Sequence, residues 1–317
     1  MTAKQILHIS ISMSFTGISV ILLVCMSLFC STVADFFKAY YCKRAINGTS
    51  DYFLLNGGMF VVATLVILLM SLFKITFSWY SLCMGALFGA ITFTFSLVYC
   101  MAINKGPISY TSVIVNMSTI ITALSGWIFW QEQLNPFTIV GLALMVGCMI
   151  LSNAKTDSQQ KTKGKFKWLL LAIFAMMLSA CVGLCQKVHQ TSTHASEIYL
   201  MLLVAFCVCS LLSFVAWAII RKKESVPQGE QNNFSFKRFA LCCSAIGVTY
   251  GAVNVLNLYL SGVINTAVFF PIINGIPLVL MIVLSFVFFK EKLTKKQVVG
   301  ISLGILSLAC LCMSNVL

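Results

Sequence analysis

Only 9% of the 317 residues are charged, so every charged side chain inside an apolar run needs a chemical reason to be there. Asp35 and Lys38 stand three apart in FCSTVADFFKAY, a spacing that puts them on one face of a helix. A charge at the centre of a membrane helix costs roughly 2.5–3.5 kcal/mol on insertion scales. A carboxylate–ammonium pair there reads as a gate or a proton-coupling site, or as a pair settled at the helix end. Lys187, in LCQKVH, corresponds to Lys38 later in the chain and is the third gate or coupling candidate, although a lysine at a helix end can also snorkel to the interface. Uncharged polar residues offer a solute hydrogen bonds without that cost. Asn116, Asn254, Asn257 and Asn274 lead this group, and Tyr110, Tyr250 and Thr92 add hydroxyls, as do Thr94 and Ser96. The set is expected to line a substrate cavity, with aromatic neighbours giving it amphipathic walls suited to a small zwitterion or sugar-like solute. Each residue has interhelical hydrogen bonding as its plainer role, at about 0.6 kcal/mol per bond.

Other chemistries lack their residues. No G-x-x-x-x-G-K-[ST] segment occurs to hold ATP phosphates. The three histidines, His8, His189 and His194, fall at helix ends or in loops, and no HExxH or paired-carboxylate motif accompanies them. The 14 cysteines lie mostly inside apolar runs without zinc-like spacing. No catalytic residue, metal or cofactor is therefore expected. Glu132 and Glu291 precede helix starts, where a carboxylate complements the positive end of the helix dipole, so they read as capping residues rather than proton carriers.

The elements that must position these residues are membrane helices. Sixty per cent of residues are apolar and mean hydropathy is +0.97. The apolar residues come in runs near the length needed to span hydrocarbon, and the runs are continuous rather than alternating, which excludes a barrel. Ten runs can be drawn: Gly17–Tyr41, Tyr52–Phe73, Trp79–Ile103, Ser109–Trp130, Pro136–Asn153, Trp168–Lys187, Glu197–Ile220, Phe239–Leu260, Val263–Phe289 and Val298–Asn315. Pro271 and Asn274-Gly275 are expected to loosen the ninth at mid-membrane. The net charge of +13 does not indicate nucleic acid, because the lysines and arginines cluster in loops between apolar runs. The partners expected are the lipid bilayer, a small-molecule substrate and a coupling proton.

The chain is written twice. Phe129–Ser152, FWQEQLNPFTIVGLALMVGCMILS, recurs as Phe288–Cys312, FFKEKLTKKQVVGISLGILSLACLC, with Phe129, Glu132, Leu134 and Gly141 falling on Phe288, Glu291, Leu293 and Gly300. Gly85-x-x-x-Gly89 is answered by Gly247-x-x-x-Gly251, and these pairs, with Gly300-x-x-x-Gly304, are expected to let helices pack closely. Residues 1–154 form the first repeat, 155–167 a basic cytoplasmic linker and 168–317 the second repeat. Lys43, Arg44, Lys105, the linker lysines, Arg221–Lys223, Lys237, Arg238 and the lysines around Glu291 share one face, whereas Lys4, Lys74 and Lys187 take the other. The positive-inside rule then places both termini outside the cytoplasm. Five helices per repeat make the two repeats opposite in orientation, an all-α architecture of ten transmembrane helices in two inverted five-helix repeats.

An aromatic pair closing one helix, then E-x-L, then a helix opening with a V-G step, repeated after five helices, resembles the EamA-type branch of the drug/metabolite transporter (DMT) superfamily. A lysine toward the end of the first helix of each repeat adds to the resemblance. It implies a secondary transporter of the plasma membrane that moves a small polar or amphipathic metabolite by alternating access, with export the expected direction. This sequence has no glutamate deep in its first helix, unlike the four-helix multidrug branch. The alternative reading, a membrane enzyme or sensor, has no use for an inverted repeat.

Overall fold

Backbone polar groups in lipid must find partners within their own segment, and apolar runs of this length meet that need by coiling. The computed structural model describes residues 3–45, 49–72, 75–105, 111, 114–133, 135–152, 165–223, 236–289 and 295–314, and every long element among them is helical. In chain order these are α1 (Ala3–Ala45), α2 (Thr49–Met70), α3 (Trp79–Lys105), α4 (Ser118–Trp130), α5 (Pro136–Ser152), α6 (Lys165–Gln190), α7 (Ile198–Lys223), α8 (Phe236–Val263), α9 (Thr266–Phe289) and α10 (Lys295–Ser314). Among the described residues six helices, α1, α2, α3, α6, α7 and α8, are long and apolar enough to cross a membrane, while α4, α5, α9 and α10 carry shorter apolar stretches. The chain is a multi-pass membrane protein.

Two boundaries depart from the sequence reading. The first helix begins at Ala3 rather than near Gly17. The fourth apolar run, expected as one helix from Ser109, is interrupted at Met117: Met117 N–H donates to the Ile114 carbonyl at 3.1 Å and Ile120 N–H to the Met117 carbonyl at 3.0 Å. Both bonds span three residues, so the ladder tightens locally next to Asn116. The ninth helix, expected to loosen near Pro271, runs unbroken through Pro271 and Pro277. Each proline removes one donor. Around Pro271, however, Phe269, Phe270, Pro271 and Ile273 are all buried, and their packing holds the helix in place.

Helices of one half pack largely on helices of the other. α2 lies against α7 and α8, α3 against α6 and α7, α1 against α8 and α9, α4 against α6 and α9, and α5 against α10. If α1 to α5 are equated with α6 to α10, each of the pairings just named has its counterpart: α3–α6 answers α8–α1, and α3–α7 answers α8–α2. The glycine pairs sit at the tightest of these crossings. A Cβ at Gly85 would lie 2.5 Å from the Met201 carbonyl oxygen on α7, and one at Gly247 would lie 2.6 Å from that of Met59 on α2. The largest core, with Leu55, Phe60, Phe88, Met201, Phe206 and Ile246 at its heart, fills the space among α2, α3, α7 and α8. Large apolar side chains such as Leu22, Leu65, Trp127, Phe174 and Leu211 point outward, as lipid contact requires.

Candidate transport site

Lys38 enters the interior from α1. Its Nζ stands 5.4 Å from the centroid of the Tyr52 ring on α2, and its charge reaches the Tyr250 phenol on α8 and the Cys209 thiol on α7. Asp35 lies within electrostatic range of both Lys38 and Tyr250. The Asp35 side chain keeps an exposed surface. Behind Lys38, the rings of Phe60, Phe206 and Tyr250 form a triangle with centroids 5.4 to 5.9 Å apart. Four helices, two from each half, thus meet around one ammonium group.

Beside this cluster, Asn56 Nδ2 donates to Ser96 Oγ at 2.6 Å, and the Tyr52 hydroxyl lies 3.2 Å from the same oxygen. Asn56 Oδ1 and the Thr92 hydroxyl are both buried without a hydrogen-bond partner. Buried polar atoms in that condition call for water or a bound group. Thr92 and Ser96 are one turn apart on α3.

The other predicted cavity residues are spread over several contacts. Asn274 is exposed and its Nδ2 donates to Thr119 Oγ1 on α4 at 3.1 Å. Asn257 accepts from Ser27 of α1 at 2.6 Å. Asn254 is buried and donates to the Tyr250 carbonyl one turn back on α8. Asn116 is half-buried beside the interrupted turn. Tyr110 and Glu291 lie outside the described residues, as does most of the linker. Thr94 donates to the carbonyl of Ala90 in its own helix.

Lys187 is far from snorkelling. Its Nζ sits 3.0 Å from Glu132 Oε1 and 3.5 Å from the Ile264 carbonyl, with the two side chains only 6% and 14% exposed. Glu132 also accepts the Thr266 backbone N–H at 2.7 Å and the Thr266 hydroxyl at 2.8 Å. It caps a helix, as its position suggested, but the helix is α9 rather than the adjoining α5. The approach depends on the end of α4: Gln131 takes a left-handed conformation, φ 52°, and Glu132 N–H returns to the Gly126 carbonyl at 3.2 Å. Gly126 has no side chain because a Cβ there would overlap Glu132 Oε2. An open recess of about 480 Å³, lined by Trp127, Ile128, Gln131, Glu132 and Gln133, lies outside this ion pair.

A second polar group ties the end of α6 to the start of α3. His189 is fully buried, with Nε2 3.1 Å from Ser81 Oγ. Ser78 donates to Glu197 in a short hydrogen bond, and His194 Nδ1 lies 3.0 Å from the same carboxylate. The hydrogen bonds from Ser78, Ser81 and His194 hold the Glu197 carboxyl down from 4.5 to about 2.

The sequence profile of the EamA-like transporter family matches residues 16–154 and 166–313. The chain belongs to the EamA-like transporter family. A solved structure titled "Crystal structure of protein" superposes with a TM-score of 0.71 at 15% identity, covering 93% of this chain and 97% of its own, a likeness of fold alone. No curated protein matches the sequence at a significant level. As an EamA-like transporter of the DMT type, the chain acts on a small molecule across a bilayer, and its two matched stretches fit the two-repeat architecture. Sequence reasoning missed Asn56 and Ser27 as polar contacts of the interior. The signal for Asn56 was present: Tyr52 and Asn56 are one helical turn apart inside an otherwise apolar run.

Proposed function

We propose that this transporter is a secondary carrier that exports a small polar or amphipathic metabolite by alternating access, with ten helices in two inverted repeats of residues 1–154 and 168–317. The observation that carries this reading is the interior at Lys38, where a charge and aromatic rings are drawn together from helices of both halves. A charge held there has a functional reason more often than a structural one. Asn116, Asn254, Asn257, Asn274, Tyr110, Tyr250 and Thr92 line the path of the solute, and Asp35, Lys38 and Lys187 gate or couple it. With no ATP motif in the sequence, a solute or ion gradient supplies the energy, and Asp35, beside Lys38, is the acidic residue that exchanges protons. Both termini face away from the cytoplasm, and the protein resides in the plasma membrane.

The test is counterflow in proteoliposomes with a panel of radiolabelled small metabolites chosen by comparing cells with and without the protein. Saturable exchange is expected for at least one, lost in Tyr250→Ala and reduced in Asn254→Ala. Asp35→Asn is expected to abolish proton-driven accumulation and to leave exchange partly intact. No saturable flux of any compound that accumulates in the deficient cells would overturn the reading.

A further inference from the structure

The donors and acceptors around His189 define its protonation state. Glu197, a carboxylate, only accepts, so the Ser78 hydroxyl donates to it. Ser78 Oγ in turn accepts the Ser81 backbone N–H at 3.1 Å. The Ser81 hydroxyl faces Nε2, and an amide N–H aimed at Nδ1 from Gln190 puts the His189 hydrogen on Nε2, with Ser81 Oγ accepting it. On the other side of the ring, Gln190 Nε2 donates to Nδ1 at 3.4 Å and to the Ala195 carbonyl at 3.1 Å. The ring is neutral, buried and enclosed by groups that fix its tautomer. The titratable groups facing it are Tyr80 of α3 and His194 and Glu197 of the following loop. On its own helix the nearest charge is Lys187, tied to Glu132. The Tyr80 ring lies near-parallel to both imidazoles, its centroid 6.2 Å from His189 and 5.1 Å from His194, at interplanar angles of 21° and 23°.

We propose that His189 is a proton-binding site that controls whether this end of the transporter is closed, an inference that rests on the carrier reading above. A second proton has one place to go, Nδ1, where it would oppose the amide hydrogens of Gln190. That amide must turn over, and in doing so it gives up the Ala195 carbonyl that seats the loop between α6 and α7. The same proton adds a positive charge two residues from Lys187. Lys187 and His189 make the two links from the last turn of α6 to the first half of the chain, through Glu132 and Ser81. Trp130 adds a third close by, donating to Thr191 at 3.2 Å. Protonation therefore loosens the joint at which the halves are locked, and the proton is supplied from solution past His194, whose side chain is 37% exposed. The ligand is a proton distinct from the one exchanged at Asp35, taken up on the side that the lysine distribution assigns as non-cytoplasmic.

The full-length protein in lipid nanodiscs tests this with ¹⁵N-histidine NMR, since three histidines give an assignable spectrum. His189→Gln and His194→Gln assign the signals, and His194→Gln suffices with His8→Gln if the first variant does not fold. His189 is expected to hold its proton on Nε2 at about pH 8 and to gain a second on acidification toward about pH 5. Over the same range, hydrogen exchange of residues 262–270, corrected for intrinsic chemistry, should quicken by about tenfold in the native chain and stay flat in His189→Gln. A His189 that keeps a single proton throughout, or exchange that quickens equally in His189→Gln, would overturn the proposal. Solute flux without titration sinks this inference alone, whereas titration without any flux sinks the carrier reading.

Discussion

At the scale of single residues, the Glu132–Lys187 pair sets the strongest expectation. Removing one partner leaves the other charge buried and uncompensated, a loss of roughly 3–5 kcal/mol in comparable sites. Glu132→Gln should therefore lower the thermal midpoint of the detergent-solubilised protein sharply, and adding Lys187→Met to it should restore much of the loss. An additive double variant would show that the two side chains do not act as a pair. Glu197 supplies a pH signature of the opposite kind. Its carboxyl is held at about 2 against an ordinary 4.5, so the folded state binds fewer protons than the unfolded state between those values. Its stabilisation is complete above 4.5 and is lost as pH falls toward 2. Comparing thermal midpoints of the native protein and Glu197→Gln across that window should show the gap closing on acidification. Both lysines and Thr92 were legible in the sequence, because a charge or hydroxyl within an apolar run is conspicuous. The partner of Lys187 was not legible. Glu132 and Lys187 are 55 positions apart, and nothing in the spacing of either says that a turn from one half reaches the last helical turn of a segment in the other.

At the scale of helices, the glycine crossings give a graded expectation. A Cβ at Gly89 would overlap the Ala205 carbonyl oxygen, which is backbone and cannot move aside, whereas one at Gly251 would meet the Ala63 carbonyl oxygen at 3.3 Å. Gly89→Ala should cost about 1–3 kcal/mol or prevent folding, and Gly251→Ala should be the milder change. Fluorescence-detected size-exclusion after heating would rank them, and an equal loss in both would contradict the packing described. The helices themselves and the close approach at Gly85, Gly89 and Gly247 were readable from residue type, whereas Glu132 caps α9 and not the adjoining α5 to which its position pointed. The break in the fourth run was not readable. The segment Val115-Asn116-Met117-Ser118 contains neither proline nor glycine, while α9 contains two prolines and stays continuous. Tertiary packing decides both cases, and a local rule about proline has no access to it.

For the molecule as a whole, the repeat was plain because Phe129–Ser152 and Phe288–Cys312 carry the same aromatic, E-x-L and V-G landmarks, and the family match spans both copies. Orientation rests on the lysine distribution. Single-cysteine labelling from either side should place Met1 and Leu317 on the non-cytoplasmic face and Lys161–Lys167 on the cytoplasmic face. A cytoplasmic carboxyl terminus would mean that one apolar run does not span. The cross-packing of the halves also bears on how a ribosome can deliver this protein. When the first 154 residues have entered the bilayer, the surfaces of α2 and α3 that belong against α7 and α8 have nothing to meet, and Gly85 and Gly89 face lipid instead of the α7 backbone. The early half must wait, half-assembled and open to membrane proteases, until translation has produced its complement. A truncated 1–164 fragment should accordingly be short-lived in cells, and co-expression of 165–317 as a separate chain should rescue it.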